Sequence, residues 1–477
     1  MTRTSSSVFV VAVIVGLMVG LGVPGLAEAQ ASTTRFATVE AYRGQVSVVR
    51  LGNQVPLMRG AAIQRDDIVA TRNGTLVLRF WSDGSQLRIG ANSRVQVNES
   101  AGERDVKVFS GRLWARVVRW KENPVRFRTG RTIAAVRGTE LSIDFDEETA
   151  VVSALEGKVL TENEDGSVML EGGQTAVVEA GKGPVLRTLV KPQDAVQWAL
   201  YFEPLLFDPP SGADASTQGA VSKSADAYRS GDLEAALDAI EAVDAAEVDE
   251  TGFFTYRASL LLAASNLDQA EADIDRALDL DAGSSDALAL RSIIAVANND
   301  TGTAQAMAER AVAADSQSAT AQIAMSYAKQ SVFDLKGART ALEKAVQLDP
   351  DNALAWARLS EAHLAFGKTG PAMDAAEKAA QLEPELARTQ SVLGYAYLAK
   401  MRPKKAGEAF EKAIELDQGD PLPRLGLGLA RIRNGALKAG AQEIETAASL
   451  DPGNSLVRSY LGKAYYELKR TGLDDRE

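Results

Sequence analysis

Residues 336–369 read KGARTALEKAVQLDPDNALAWARLSEAHLAFGKT, and residues 370–403 read GPAMDAAEKAAQLEPELARTQSVLGYAYLAKMRP. Laid one over the other, Ala338 falls on Ala372, Ala345 on Ala379, Pro350 on Pro384 and Ser360 on Gly394. The same ruler of 34 residues runs outward in both directions. Ala277, Ala311, Ala345, Ala379, Ala413 and Ala447 form one column; Ala270, Ala304, Ala338, Ala372, Ala406 and Gly440 form a second. A third is also small: Ala258, Ser292, Ser326, Ser360, Gly394, Gly428 and Gly462. A fixed period of this length with small residues at fixed slots predicts a helix–turn–helix unit copied along the chain. Small side chains are needed where two helices cross and where the next unit stacks. Pro350, Pro384 and Pro452 stop one helix and permit the next.

These columns, with Trp356 as the early aromatic, resemble the tetratricopeptide repeat. Ala282, Ser316 and Gln418 depart from the proline slot, and Gly440 from the alanine. Units start at 251, 285, 319, 353, 387 and 421; residues 217–250 read as a worn first copy, and a helix from 455 as a cap. The solenoid is thus assigned to residues 221–477. In this family the first helix of each unit lines the concave groove. The ninth slot gives Ser259, Ile293, Tyr327, Glu361, Tyr395, Leu429 and Lys463, and the twelfth ends at Tyr466. Tyr327, Glu361, Tyr395, Leu429, Lys463 and Tyr466 are the candidate contacts for an extended peptide or partner helix. The competing reading is that some of them fill the inside of a tightly wound superhelix.

The chain has 477 residues, a net charge of −12, one histidine and no cysteine. Disulfides, thiolate chemistry and a lipidated cysteine are excluded, and nucleic acid is an unsuitable partner. His363 lies in a repeat helix, and no phosphate loop, dinucleotide fingerprint or zinc spacing occurs. The expectation is a protein that is not an enzyme and needs no cofactor or metal. The charge is uneven. Residues 35–137 hold 19 basic and 8 acidic side chains, residues 138–208 hold 4 and 14, and the chain from 209 onward 28 and 41. A basic stretch beside acidic ones implies either that the pieces dock through complementarity or that a basic surface awaits an anionic partner.

Arg3 precedes an apolar run from Val8 to Val23, then Pro24, Gly25 and Ala27-Glu28-Ala29-Gln30-Ala31. This reads as a signal peptide over residues 1–31, cleaved after Ala29 or Ala31, and hence as a periplasmic chain with no membrane span once mature. An uncleaved N-terminal anchor is the alternative.

Residues 36–190 read as short strands at roughly ten-residue spacing, an all-β roll or sandwich. Asp83-Gly84-Ser85 predicts one hairpin and Lys121-Glu122-Asn123-Pro124 another. Six short runs then come in order: Gly44-Gln45-Val46-Ser47-Val48, Asp67-Ile68-Val69-Ala70-Thr71, Asp83-Gly84-Ser85, Gly111-Arg112-Leu113, Val136-Arg137-Gly138-Thr139-Glu140 and Leu155-Glu156-Gly157-Lys158-Val159. They resemble the FecR domain, a periplasmic β domain of iron-uptake signalling. Regulators of that kind carry a cytoplasmic region and a membrane helix ahead of the domain; here a signal peptide precedes it, so the resemblance implies fold and compartment rather than anti-sigma activity. Arg137 is expected to pair with a carboxylate of the β domain, a binding role being the alternative. If the strands flanking residue 121 pair as a hairpin, Arg112, Trp114, Arg116, Arg126 and Arg128 share a face suited to peptidoglycan or another anionic glycan, a lipid headgroup or an acidic protein patch; the equal alternative is a solvated strand face or a contact with the chain's own acidic portions. Residues 191–220 are a joint whose aromatics, Trp198, Tyr201, Phe202 and Phe207, would plug the β domain onto the solenoid.

The expectation is a multidomain all-β plus all-α chain, a FecR-like β roll or sandwich followed by a tetratricopeptide α-solenoid. It would act as a cell-envelope scaffold for a protein or peptide partner. A ligand sensor in trans-envelope signalling and a glycan binder are the alternatives.

Overall fold

A computed structural model describes residues 35–100, 103–118, 124–188, 195 and 214–472. The signal segment, the turn at 121–123 and the aromatics of the joint lie outside the described residues. Fifteen strands come first: β1 Arg35–Arg50, β2 Asn53–Val55, β3 Ala62–Gln64, β4 Ile68–Phe80, β5 Gln86–Ile89, β6 Arg94–Ser100, β7 Glu103–Val117, β8 Val125–Arg128, β9 Ile133–Val136, β10 Thr139–Phe145, β11 Thr149–Glu156, β12 Lys158–Asn163, β13 Gly166–Glu171, β14 Gln174–Glu179 and β15 Val185–Thr188. Alternation along them sends Val106, Val108, Leu113 and Ala115 of β7 into a core with Leu76, Leu78, Ile89 and Ile143.

β7 is the hub because it is long enough to take four partners. Its second half lies between β5 and β10, with Arg116 opposite both Gln86 and Glu140. Its first half pairs with β6 on one side. Asp83-Gly84-Ser85 joins β4 and β5 as an antiparallel hairpin. The second expected hairpin does not form: β8 pairs with β7 in parallel, Asp105 opposite Arg126 and Lys107 opposite Arg128. The cause is edge occupancy. Beside Arg112 to Val117 both hydrogen-bonding edges are already taken, and the free edge lies at the other end of β7.

The solenoid follows as α1 Ala215–Arg229, α2 Leu233–Glu241, α3 Thr251–Ala263, α4 Leu267–Leu280, α5 Ser285–Ala297, α6 Thr301–Ala314, α7 Ala319–Ser331, α8 Leu335–Leu348, α9 Ala353–Ala365, α10 Thr369–Leu382, α11 Ala387–Ala399, α12 Pro403–Leu416, α13 Pro421–Arg433, α14 Leu437–Leu450 and α15 Ser455–Thr471. Capping keeps the period. Ser284, Ser318, Asn352, Asp420 and Asn454 cap first helices through their side chains, while Asp232, Asn266, Asp300 and Asp334 cap second helices.

The small columns meet each other. The hydroxyls of Ser224, Ser292 and Ser360 donate to the carbonyls of Ala236, Ala304 and Ala372, at 2.7, 2.7 and 2.8 Å. Each bond ties a first helix to the second helix of its own unit at the crossing point. Two units further along, Gly428 faces Gly440, and a Cβ on Gly428 would stand 2.7 Å from the Gly440 carbonyl oxygen. Gly462 occupies the same column on α15, where among the described residues no second helix crosses it; a Cβ added to it meets nothing within 4 Å. Substituting Gly428→Val should therefore cost about 1–3 kcal/mol through overpacking, whereas Gly462→Ala should gain up to about 1 kcal/mol from helix propensity. Urea denaturation of the two variants beside the parent measures both, and equal effects would contradict the crossing geometry.

Candidate interaction surfaces

Two faces carry dense polar chemistry. The first runs along the first helices of the middle repeats. The Arg358 guanidinium lies 3.9 Å from the centre of the Tyr327 ring. It donates to Gln330 Oε1 at 2.8 Å and to Glu361 at 2.7 Å. Glu361 is shared with Arg388 of the next repeat. Tyr395 packs edge-on against Phe410, centroids 4.9 Å apart, and its hydroxyl donates to Leu422 O at 2.7 Å. Asp420 closes the line as the cap of α13, accepting from the Leu422 N–H at 2.9 Å. Burial, with Asp417 nearby and in spite of Arg388, pushes the Asp420 carboxyl up to about 7.

The sequence-predicted groove is thus open in part of its length. Tyr327 and Glu361 are half-buried and linked through Arg358. Tyr395 is half-buried but committed to its own core. Leu429 packs with Leu425, Ala441 and Ile444. Lys463 and Tyr466 stand exposed on α15. Ser259, Leu262 and Ile293 are fully buried, so in the second and third repeats this face fills the inside of the superhelix. Reading the ninth and twelfth slots misses Arg358, Arg388 and Asp420, which sit at other slots of the same face. His363 is half-buried, and burial lowers its pKa.

The second face belongs to the β domain and is covered by the solenoid. The buried Arg43 reaches Ala263 O at the end of α3 and pairs with Asp417 Oδ2, just beyond α12, at 2.9 Å. Gln45 donates to Asp238 on α2, and Arg72 and Asn73 both reach Glu241. Arg79 bridges Glu40 at 2.8 Å and Glu445 on α14 at 3.0 Å. Burial opposes the Glu40 charge, yet Arg79, Thr446 and Gln86 together hold its carboxyl below the ordinary range. Arg88 is buried beside Ser265, and burial lowers its guanidinium to about 10, with Asp451 pulling the other way and Arg43 adding to the fall. Ala41 and Val77 pack on Leu450 at the centre.

The proposed arginine face of the β domain is divided between this interface and another site. Arg112 pairs with Asp144 at 3.0 Å and with Asp268 of α4 at 2.8 Å. Trp114 is 1 % exposed, and its Nε1 donates to Glu140 at 3.1 Å; Glu140 also receives Arg458 of α15. Arg116 donates to Gln86. Arg126 and Arg128 lie on β8 against Glu103 and Asp105, along the other half of β7. Arg112, Trp114, Arg116, Arg126 and Arg128 do not form one surface, because parallel pairing carries β8 to the far end of the hub strand. Arg137 is exposed at the bend from β9 to β10 rather than buried against a carboxylate, and Glu140 meets the solenoid instead.

Residues 66–160 match the family model for FecR protein. Residues 387–420 match a tetratricopeptide repeat model. The chain joins a FecR domain to a tetratricopeptide solenoid. Among solved structures, the Cut9–Hcn1 hetero-tetramer of the APC/C is similar over 49 % of this chain and 46 % of that one, with 20 % identity and a TM-score of 0.42. The chain therefore spans less than half the length of that protein. A thermophilic tetratricopeptide protein of Thermus thermophilus is covered completely by 38 % of this chain, with 18 % identity and a TM-score of 0.35. A candidate anti-sigma factor from Parabacteroides distasonis matches 29 % of this chain and 68 % of its own, with 20 % identity and a TM-score of 0.26. Comparison with curated proteins finds no match. Tetratricopeptide and FecR-like families are non-catalytic scaffold or regulatory proteins, and such repeats imply protein partners. Among the described residues no helix is long and apolar enough to cross a membrane.

Two outcomes follow. Truncating Arg43→Ala removes the buried guanidinium that joins Ala263 O and Asp417, and breaking a largely buried ion pair should cost about 3–5 kcal/mol; calorimetry should then resolve the β domain and the solenoid as separate transitions. At Asp420 the ordinary carboxyl value of 3.8 rises to about 7 on folding. Its contribution is fully present below about pH 4 and is lost as pH rises toward 7. Asparagine caps as well as aspartate, so Asp420→Asn should match the parent melting temperature near pH 4 and exceed it near pH 8. A margin over the parent that does not grow between pH 4 and pH 8 would show that the carboxylate is not held against its charge.

Proposed function

We propose that the protein is a non-enzymatic scaffold of the bacterial periplasm or cell envelope, and that it receives a protein or peptide partner on the first-helix face of its middle repeats. The observation that carries this reading is the line Tyr327, Arg358, Glu361 and Arg388. Four polar side chains from three successive repeats converge there, the tyrosine and the carboxylate half-buried and the two arginines deeper behind them. An extended chain laid across the repeats would meet a ring face and a carboxylate held in fixed positions by guanidinium groups, on the kind of extended surface that solenoids use for binding. The β domain's role in this reading is structural, because its arginine-rich strand is engaged with the solenoid. An envelope glycan would find no assembled arginine face on β7.

A second reading, ligand sensing in trans-envelope signalling, is favoured by the buried ionic interface, through which a ligand on either domain would bias the other. A neighbouring gene for a sigma factor or membrane regulator would support it, and the lack of one would count against it.

The test of the scaffold reading is a photo-crosslinking residue placed at Tyr327 in intact cells, beside one at Lys344 on the outer helix α8. Position 327 should give one discrete adduct in the periplasmic fraction, position 344 none, and Arg358→Glu should reduce the adduct at least tenfold. Adducts of equal yield from both positions, or an adduct indifferent to Arg358, would move the binding surface elsewhere.

A further inference from the structure

The turns between first and second helices line one edge of the solenoid, and that edge changes sign along its length. In the stretches 227–237, 261–271 and 295–305 there is one basic residue against five acidic. In the four that follow at the same period, 329–339, 363–373, 397–407 and 431–441, there are eleven Lys and Arg against a single acid, Asp334. The chain as a whole carries −12, so this is a local reversal.

Three features show that the reversal is not made for stability. The side-chain caps Asp232, Asn266, Asp300 and Asp334 give way at the next two turns to Lys368 and Arg402, with Lys404 and Lys405 in the following turn of helix. Cations there oppose the helix dipole, and an orphan N–H loses its acceptor. The left-handed turn residue is glycine at 231, 367 and 435, but Phe333 and Met401 adopt φ of 63° and 59°. Bulky side chains tolerate that conformation poorly. Finally, Phe333 is 89 % exposed and Met401 68 %, with Val332, Leu335 and Phe366 also exposed. The tips are joined into one ridge: Arg339 lies 4.7 Å from the centre of the Phe366 ring, and Arg433 reaches both Leu398 O and Met401 Sδ.

We infer that this edge docks onto an anionic phospholipid surface. Apolar tips at three successive turns (Val332, Phe333 and Leu335, then Phe366, then Met401), flanked by Lys336, Lys368, Lys400, Arg402, Lys404 and Lys405, suit a fluid layer that admits each tip between headgroups. An acidic protein would instead have to supply a pocket for each tip. The phosphates neutralise the lysines that the helix ends disfavour. This surface is separate from the first-helix face and does not depend on its role.

The test uses residues 34–477, which form a single compact unit, so that the N-terminal apolar run cannot bind on its own. Cosedimentation with vesicles of phosphatidylcholine containing phosphatidylglycerol is compared with phosphatidylcholine alone. Binding should require phosphatidylglycerol and fall steeply with salt. The variant R402E/K404E/K405E should lose at least tenfold in affinity while melting no lower than the parent, because its new carboxylates favour the helix N-terminus. F333S/M401S should weaken binding severalfold with the salt dependence retained. No binding to phosphatidylglycerol vesicles, equal binding to neutral vesicles, or binding untouched by charge reversal would overturn the proposal. So would a dimer in sedimentation velocity that the charge variant dissolves without any vesicle binding, which would assign the edge to a second copy of the chain.

Discussion

Arg43 connects parts of the chain that no local rule would bring together. Its guanidinium leaves a strand of the β domain, reaches a carbonyl at the turn of one early repeat, and pairs with a carboxylate at the end of a much later one. One buried side chain thus touches an early repeat, a late repeat and the domain beside them. A guanidinium suits the position because its planar fork offers several donors in fixed directions, where an ammonium would serve as a point charge. Around it Arg79, Arg88, Arg112 and Arg424 extend the same principle, each set against acidic or carbonyl groups contributed across the junction.

Such an interface is not the most stable way to join two domains. Burying arginines costs desolvation that their partners only partly return, and apolar side chains of the same volume often do as well. What the ionic version supplies is selectivity of registration. Arg43 must find Asp417 while Arg79 finds Glu445, and a slipped docking would part these charges from their partners. The small apolar contact of Ala41, Val77 and Leu450 adds cohesion without direction.

The legibility of this molecule in its sequence divides along range. The columns of Ala270, Ala277 and Ser292 and their successors are readable because each contact joins residues within one repeat or the next, and the period repeats the message. The alternation of Leu113, Ala115 and Val117 is readable for the same reason. The partner of β8 is not, because pairing depends on which edges of β7 other strands have already filled. Nor is the fate of Arg112 and Trp114, although an uneven charge points toward docking and a tryptophan on the polar side of a strand is a further sign that something covers it. Within the first-helix face, Tyr327 and Glu361 can be found from their slots. Arg358 and Arg388 escape a reading that takes the slots as isolated columns, because long side chains reach diagonally from one repeat to the next.

A last consequence comes from the meeting of the first repeat with the sixth. Gly231 lies so close to Leu416 that a Cβ would stand 2.7 Å from its carbonyl oxygen. Repeat arrays ordinarily behave as open chains of near neighbours, and evolution lengthens or shortens them by copying or deleting a unit with little penalty. Here the array has been closed against itself and then straddled by one arginine. The domain beside it works as a gauge: a unit added or removed between residues 251 and 416 would rotate the far end away from Gly231 and Arg43 alike. An architecture that is usually modular has become one in which the number of copies is itself a structural constant.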